Sequence, residues 1–189
     1  MDILDLCQNH PGLNDNKYLE RRKYFHNLVN TNFQEIVYTN YENKLWGTIF
    51  SKLKETHKKY ACKRYLINFQ LLENNKIFEK DKIPQLRNIN NFLQKKTGFT
   101  LKPVKGLISS REFLNSLAKR EFNCTIYIRH ESKPFYTPEP DLVHEFIGHV
   151  PLFADEEFAE LSEKIGKASL IMNDDEILKL TRFYWFTVE

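Results

Sequence analysis

The segment Asp141-Leu142-Val143-His144-Glu145-Phe146-Ile147-Gly148-His149-Val150-Pro151 restricts this chain more than any other. Its two histidines are five residues apart, about 140° around an ideal α-helix. The four-residue spacing of the HExxH zinc-protease motif gives about 40° and a shared face. An unbroken α-helix therefore cannot aim both imidazoles at one metal. The expectation is that Gly148 takes a left-handed or irregular conformation as the helix ends, so that His149 swings back toward His144, and that Pro151 keeps the helix from resuming. A carboxylate beside such a pair would complete a facial set of two histidines and one acid, which suits non-haem Fe(II) with open positions. Glu189 is the candidate for that third place. The spacing alone leaves a core or surface histidine pair equally open.

The rest of the chain bounds what such a site can serve. Its 189 residues suffice for one domain with a core, and 41% hydrophobic with 28% charged residues is the balance of a globular protein. A net charge of +3 is too weak to argue for nucleic acid. The basic stretches Arg21-Arg22-Lys23 and Lys58-Lys59 with Lys63-Arg64 read as solvated helix faces. Cys7, Cys62 and Cys124 are far apart and form no CxxC pair. There is no signal-peptide pattern and no apolar run of membrane-span length. A cytoplasmic protein that engages neither membrane nor nucleic acid is expected.

The periodicity predicts a mostly α fold with a few short β-strands. Helices are expected over about Asn16–Asn30, over Glu42–Tyr60 with Leu45, Trp46, Ile49 and Leu53 on one stripe, and from Pro84 to a close at Gly98. Glu73–Lys82 reads as a polar loop. Phe99–Val104 is a strand candidate. The capping box Ser109-Ser110-Arg111-Glu112 opens a helix to about Arg120. Thr125–His130 alternates apolar and polar and reads as a strand with Tyr127 and Arg129 on one face. Pro134, Pro138 and Pro140 forbid regular structure up to Asp141, a good N-cap for the histidine helix. Two more helices follow, about Asp155–Ala168 and from Asn173 to the end.

The decisive pattern is wider than the histidine pair. Tyr127-Ile128-Arg129-His130, Pro134-Phe135-Tyr136-Thr137-Pro138-Glu139-Pro140-Asp141, His144-Glu145, Gly148-His149-Val150-Pro151-Leu152 and Tyr184-Trp185-Phe186-Thr187-Val188-Glu189 closely resemble the biopterin-dependent aromatic amino acid hydroxylases. So do His10-Pro11-Gly12, Trp46-Gly47-Thr48, Ile83-Pro84-Gln85-Leu86 and Thr97-Gly98-Phe99, so the resemblance runs from about residue 10 to 189. It implies that fold's catalytic domain, with Fe(II) and tetrahydrobiopterin as cofactors and an aromatic amino acid and O2 as substrates. His144, His149 and Glu189 match the iron ligands. Arg129 matches the arginine that pairs with the substrate carboxylate, and is expected to reach the cavity of His144 with Asp141 in hydrogen-bond reach. Thr137, Pro140 and Trp185 match the substrate pocket, with Asp141 orienting Arg129 and the first histidine. Gly106, Ile108, Ser110 and Phe113 fall on the pterin loop, with Phe113 as the stacking ring. Glu145 and Tyr184 match groups close to the iron.

Departures are few. Asn123 stands where the family usually has a histidine beside the pterin, Ile126 replaces a polar residue and Ile171 a glycine. Among the sister activities, Trp185 resembles the phenylalanine and tyrosine enzymes, Lys133-Pro134 looks like the phenylalanine enzymes, Tyr136-Thr137 argues against the tyrosine branch and Phe135 looks like the tryptophan branch, so phenylalanine leads. The aromatic-rich last segment reads as a helix still running at Glu189. The expectation is a single partial catalytic domain over 1–189, C-terminally incomplete, without a regulatory domain or the oligomerisation segment that a homo-oligomer requires. Such a piece is expected to bind iron weakly and hydroxylate poorly, or to be an inactive fragment.

Overall fold

The computed structural model describes residues 6–31 and 35–188. It is mostly helical, with one two-stranded sheet. Helix α1 (Asn16–Leu28) starts where the Asp15 carboxylate accepts from the N–H groups of Lys17 and Tyr18. Helix α2 (Asn40–Tyr60) starts at a reciprocal capping box of Thr39 and Glu42. It buries the expected stripe, and the Trp46 indole, fully enclosed, donates to the Glu79 carbonyl. Helix α3 (Lys63–Asn74), not foreseen in the sequence, is capped by the Cys62 sulfur and buries Tyr65, Phe69 and Leu72. That i, i+4, i+7 pattern was present but lay among further apolar residues, Leu66, Ile67 and Leu71, that blur it. Helix α4 (Leu86–Lys96) ends at Gly98, whose φ of +77° returns its N–H to the Leu93 carbonyl.

Strands β1 (Thr100–Pro103) and β2 (Glu121–Cys124) pair in parallel, Thr100 opposite Glu121 and Pro103 opposite Cys124, with α5 (Ser110–Leu117) as the crossover. The strand expected over Thr125–His130 therefore lies four residues earlier. The ladder ends because β1 ends: Pro103 has no N–H to donate, and Val104 makes the last bond, to the Cys124 carbonyl. Residues 125–130 stay extended but find other partners. Leu142 N–H donates to the Tyr127 carbonyl, Tyr38 Oη to the Ile126 carbonyl, and Arg129 N–H to Asp141. Ile126, Tyr127 and Ile128 are all buried, so neither face is outward.

A π-helical turn, His144–His149, passes directly into α6 (Val150–Phe153), which is followed by α7 (Glu156–Ser169) and α8 (Asp174–Thr187). The core is continuous from the Trp46, Phe50 and Phe69 rings to a phenylalanine stack behind the histidines. Phe99 and Phe153 lie 4.6 Å apart by ring centroids, Phe153 and Phe122 4.8 Å, and Phe122 and His149 4.9 Å. One expected solvated face is corrected. Arg22 is buried, ion-paired with Glu139 and stacked 3.4 Å over the Tyr127 ring, because Glu139 and Tyr127 supply the partners a buried guanidinium needs. No described helix is long and apolar enough to cross a membrane.

Helices α5 and α7 cross in backbone contact. A Cβ on Gly166 would lie 2.1 Å from the Ala118 nitrogen and 2.5 Å from the Leu117 carbonyl carbon. Main chain cannot rotate away as a side chain can. Gly166→Ala is therefore expected to destabilise by about 3 kcal/mol and lower Tm by roughly 6–12 °C, measured by thermal denaturation. An unchanged Tm would show that α5 and α7 separate freely.

Candidate active site

Asp141 organises the site from its N-terminal side. Fully buried, it N-caps the histidine turn, its Oδ1 accepting from His144 N–H at 3.2 Å and its carbonyl from Glu145 N–H at 3.0 Å. The same carboxylate takes Arg129 Nη2 at 2.6 Å and Arg129 Nε and N–H at 2.9 and 2.8 Å. One acid thus holds both the arginine and the first histidine.

The histidines meet by a route the sequence did not suggest. In a π-helix each N–H reaches back five residues, so side chains five apart lie over one another. Val150 N–H accordingly reaches the Glu145 carbonyl. His144 Nε2 and His149 Nε2 are 3.0 Å apart. Gly148 is not left-handed, Gly98 being the glycine with positive φ among the described residues. Pro151 does not stop the helix either. It sits in the first turn of α6, where the π-turn passes into the helix and its missing N–H is made good from elsewhere in the fold. The freedom that sequence reasoning assigned to a glycine is supplied instead by one extra residue in the helical turn.

The donor set fits a transition metal. Two bonds of ~2.1 Å at a right angle place their nitrogens about 3 Å apart, the spacing of neighbouring octahedral positions. His144, Glu145 and His149 offer donor atoms within 4.8 Å of one another. Glu189 lies outside the described residues. Glu145 is buried, and that burial pushes its carboxyl up to about 8, against the smaller lowering effects of His144 and the Thr125 N–H. Thr125 N–H and Oγ1 both donate to Glu145 Oε1 at 3.3 Å.

A cavity of about 310 Å³ opens beside this turn. Gly106, Ile108, Ser110 and Phe113 line it together with His144, Glu145, Pro140, Tyr184 and Trp185. Its aromatic wall is Phe113, set edge-on to Tyr184 at 5.4 Å and to Phe122 at 5.8 Å, which joins α5, α8 and β2. Sequence reasoning missed Thr125, Tyr127 and Thr181 as lining residues. Thr181 carried only its helical spacing from Tyr184 and Trp185. Asn123 also lines the cavity, with its amide donating to Ser116 Oγ at 2.9 Å. Three expected pocket residues are not brought to this cavity. Thr137 donates to the Glu139 carbonyl, Asp141 is enclosed, and Arg129 lines a neighbouring cavity of about 480 Å³ on the other side of Tyr127.

The model of the family described as biopterin-dependent aromatic amino acid hydroxylase matches residues 3–189. The chain belongs to that family. It is 51% identical to Protein henna of Drosophila melanogaster and 50% identical to human phenylalanine-4-hydroxylase, in each case over 98% of this chain and 42% of the relative. It therefore spans less than half the length of these relatives. Among solved structures, the apo phenylalanine hydroxylase of Colwellia psychrerythraea aligns with a TM-score of 0.76 at 33% identity, covering 82% of this chain and 57% of that one. The Chromobacterium violaceum enzyme, solved with iron(III) and 7,8-dihydrobiopterin, aligns with a TM-score of 0.74 at 31% identity, covering 80% and 54%.

A Cβ at Gly148 would meet nothing within 4 Å. Gly148→Ala is therefore expected to stabilise the chain by about 0.5–1 kcal/mol through reduced freedom of the unfolded state, and to leave Fe(II) binding intact. Denaturant titration and metal titration check the two parts. Lost metal binding would show that His149 depends on a backbone freedom only glycine has.

Proposed function

We propose that this chain forms the iron- and tetrahydrobiopterin-binding part of a cytoplasmic phenylalanine 4-monooxygenase, which converts phenylalanine and O2 to tyrosine. The observation that carries the reading is the 3.0 Å approach of His144 and His149 Nε2 at the edge of an aromatic cavity. Phenylalanine is favoured because curated phenylalanine-4-hydroxylases are 48–50% identical over 98% of the chain. The free cysteines, two exposed and one buried, suit a reducing compartment.

In this reading His144 and His149 hold the iron, with Glu189 as the third ligand. When bound, iron and pterin supply the redox chemistry that activates O2. The chain's residues bind and orient. Phe113 offers its ring for stacking on the pterin, beside the Gly106, Ile108 and Ser110 loop. Glu145 faces the cofactor side next to His144. Arg129 gives Nε and one Nη2 proton to Asp141, leaving its Nη1–Nη2 edge to grip the amino acid's carboxylate in two parallel bonds. Pro140 and Trp185 flank the substrate, Thr137 braces the segment beside it through the Glu139 carbonyl, and Tyr184 and Phe113 exclude water from the reacting ring. Asp141 sets the distance between clamp and metal, since it bonds both Arg129 and the His144 main chain.

Two substitutions test this in the protein that carries the chain. His149→Ala is expected to abolish Fe(II) binding and tyrosine formation while the fold persists. Arg129→Lys, which keeps the charge but loses the fork, is expected to raise the KM for phenylalanine at least about tenfold with a smaller change in kcat. Steady-state assay of tyrosine with tetrahydrobiopterin reads both, and an unchanged KM would remove the carboxylate role.

A further inference from the structure

Pro151 removes the α-helical donor of one carbonyl in the histidine turn. In an α-helix the Ile147 carbonyl would accept from the N–H of residue 151. Residue 151 is proline, which has none. Ile147 is buried, so water is not at hand to replace it. The replacement comes from another helix. Tyr65, on α3, places Oη 2.7 Å from the Ile147 carbonyl oxygen.

The hydroxyl is built for this task. Tyr65 is itself buried, and burial holds its phenol protonated far beyond the ordinary range, so it remains a donor. His57, on α2, sets its ring edge-on to Tyr65 at 4.8 Å with Nδ1 3.2 Å from the same hydroxyl. The single phenolic proton goes to Ile147, so the hydroxyl accepts from His57, and this selects the Nδ1–H tautomer. Three elements are thereby tied in series at a point between His144 and His149.

We propose that Tyr65 is a positioning residue for the histidine pair: its hydroxyl takes the place of the donor missing at Pro151 and keeps the turn in the register that brings the two imidazoles together. The inference rests on the reading of that pair as iron ligands. Without the hydroxyl the Ile147 carbonyl turns toward other donors, and His149, two residues on, turns with it. Groups that orient metal ligands from outside typically affect metal affinity by about 10–100-fold.

Co(II) is the probe, because its visible absorption reports ligand geometry as well as affinity. In the full chain, Tyr65→Phe is expected to bind Co(II) about tenfold more weakly and with a shifted visible spectrum. It is also expected to exchange the amides of residues 144–150 faster when metal-free. Leu72→Val, which loosens the packing of the same helix without removing a hydrogen bond, is expected to lower Tm while leaving Co(II) affinity and spectrum unchanged. Wild-type affinity and spectrum in Tyr65→Phe overturn the inference alone. So does an equal loss in Leu72→Val, or a Tyr65→Phe chain that cannot be recovered folded, since either makes Tyr65 a general packing residue. Failure of the unaltered chain to bind Co(II) overturns the iron reading and this inference with it.

Discussion

One additional residue in a single helical turn determines where the candidate chemistry can take place. Backbone bonds that reach back five residues rather than four bring His144 over His149, and every neighbouring element serves to hold that turn. Asp141 caps it on one side, the Phe122 ring packs against His149 on the other, and Tyr65 takes up the carbonyl that Pro151 leaves without its donor. A π-turn is less favourable than an α-turn in isolation, so it persists only where the surroundings supply such partners.

That dependence explains which parts of the molecule were legible in the sequence. Helices with a clear stripe or cap, such as α2 with Leu45, Trp46 and Ile49 or α8 with Asn173 and Glu176, announce themselves locally, although the Thr39 cap that starts α2 two residues early was not read. The pterin-loop residues came from the resemblance, and the fold gathers Gly106, Ile108, Ser110 and Phe113 on one cavity. Helix α3 was hidden because its apolar residues are spread over both faces, Leu66, Ile67 and Leu71 beside Tyr65, Phe69 and Leu72, and blur a single stripe. The strand at Thr125–His130 was misread because alternation does not reveal whether a partner strand continues beside it; here Pro103 ends that partner. The mechanism that unites the histidines was also misassigned. Glycine and proline in sequence suggest a broken helix, whereas the hydrogen bond from Tyr65 is separated from its acceptor by 82 positions and leaves no local trace.

Burial of charge follows the same rule of distant partners. Arg22 looks like one more solvated cation in a basic helix, yet it lies under Tyr127 and against Glu139, with His10 Nε2 3.7 Å from the same carboxylate. These contacts join α1 to the proline-rich segment just before Asp141. Irregular chain between Pro134 and Pro140 makes few main-chain bonds of its own, so ionic and aromatic contacts position it instead. Burial lowers the basicity of His10, so the buried positive charge there belongs chiefly to Arg22.

Asp141 has a thermodynamic consequence of its own. Its two oxygens are shared between the guanidinium of Arg129 and the amide of His144, and neither can move without a change in the field felt by the other. In the proposed reading, an amino acid carboxylate arriving at the Nη1–Nη2 edge of Arg129 shares the guanidinium with Asp141, which holds Nε and Nη2, and so alters the charge felt at the cap on the first histidine. Linkage then runs both ways: whatever factor the amino acid applies to metal affinity, the metal applies to the amino acid. In that reading the two ligands would communicate through a bridge one carboxylate wide, so the strength of their coupling would rest on a single side chain.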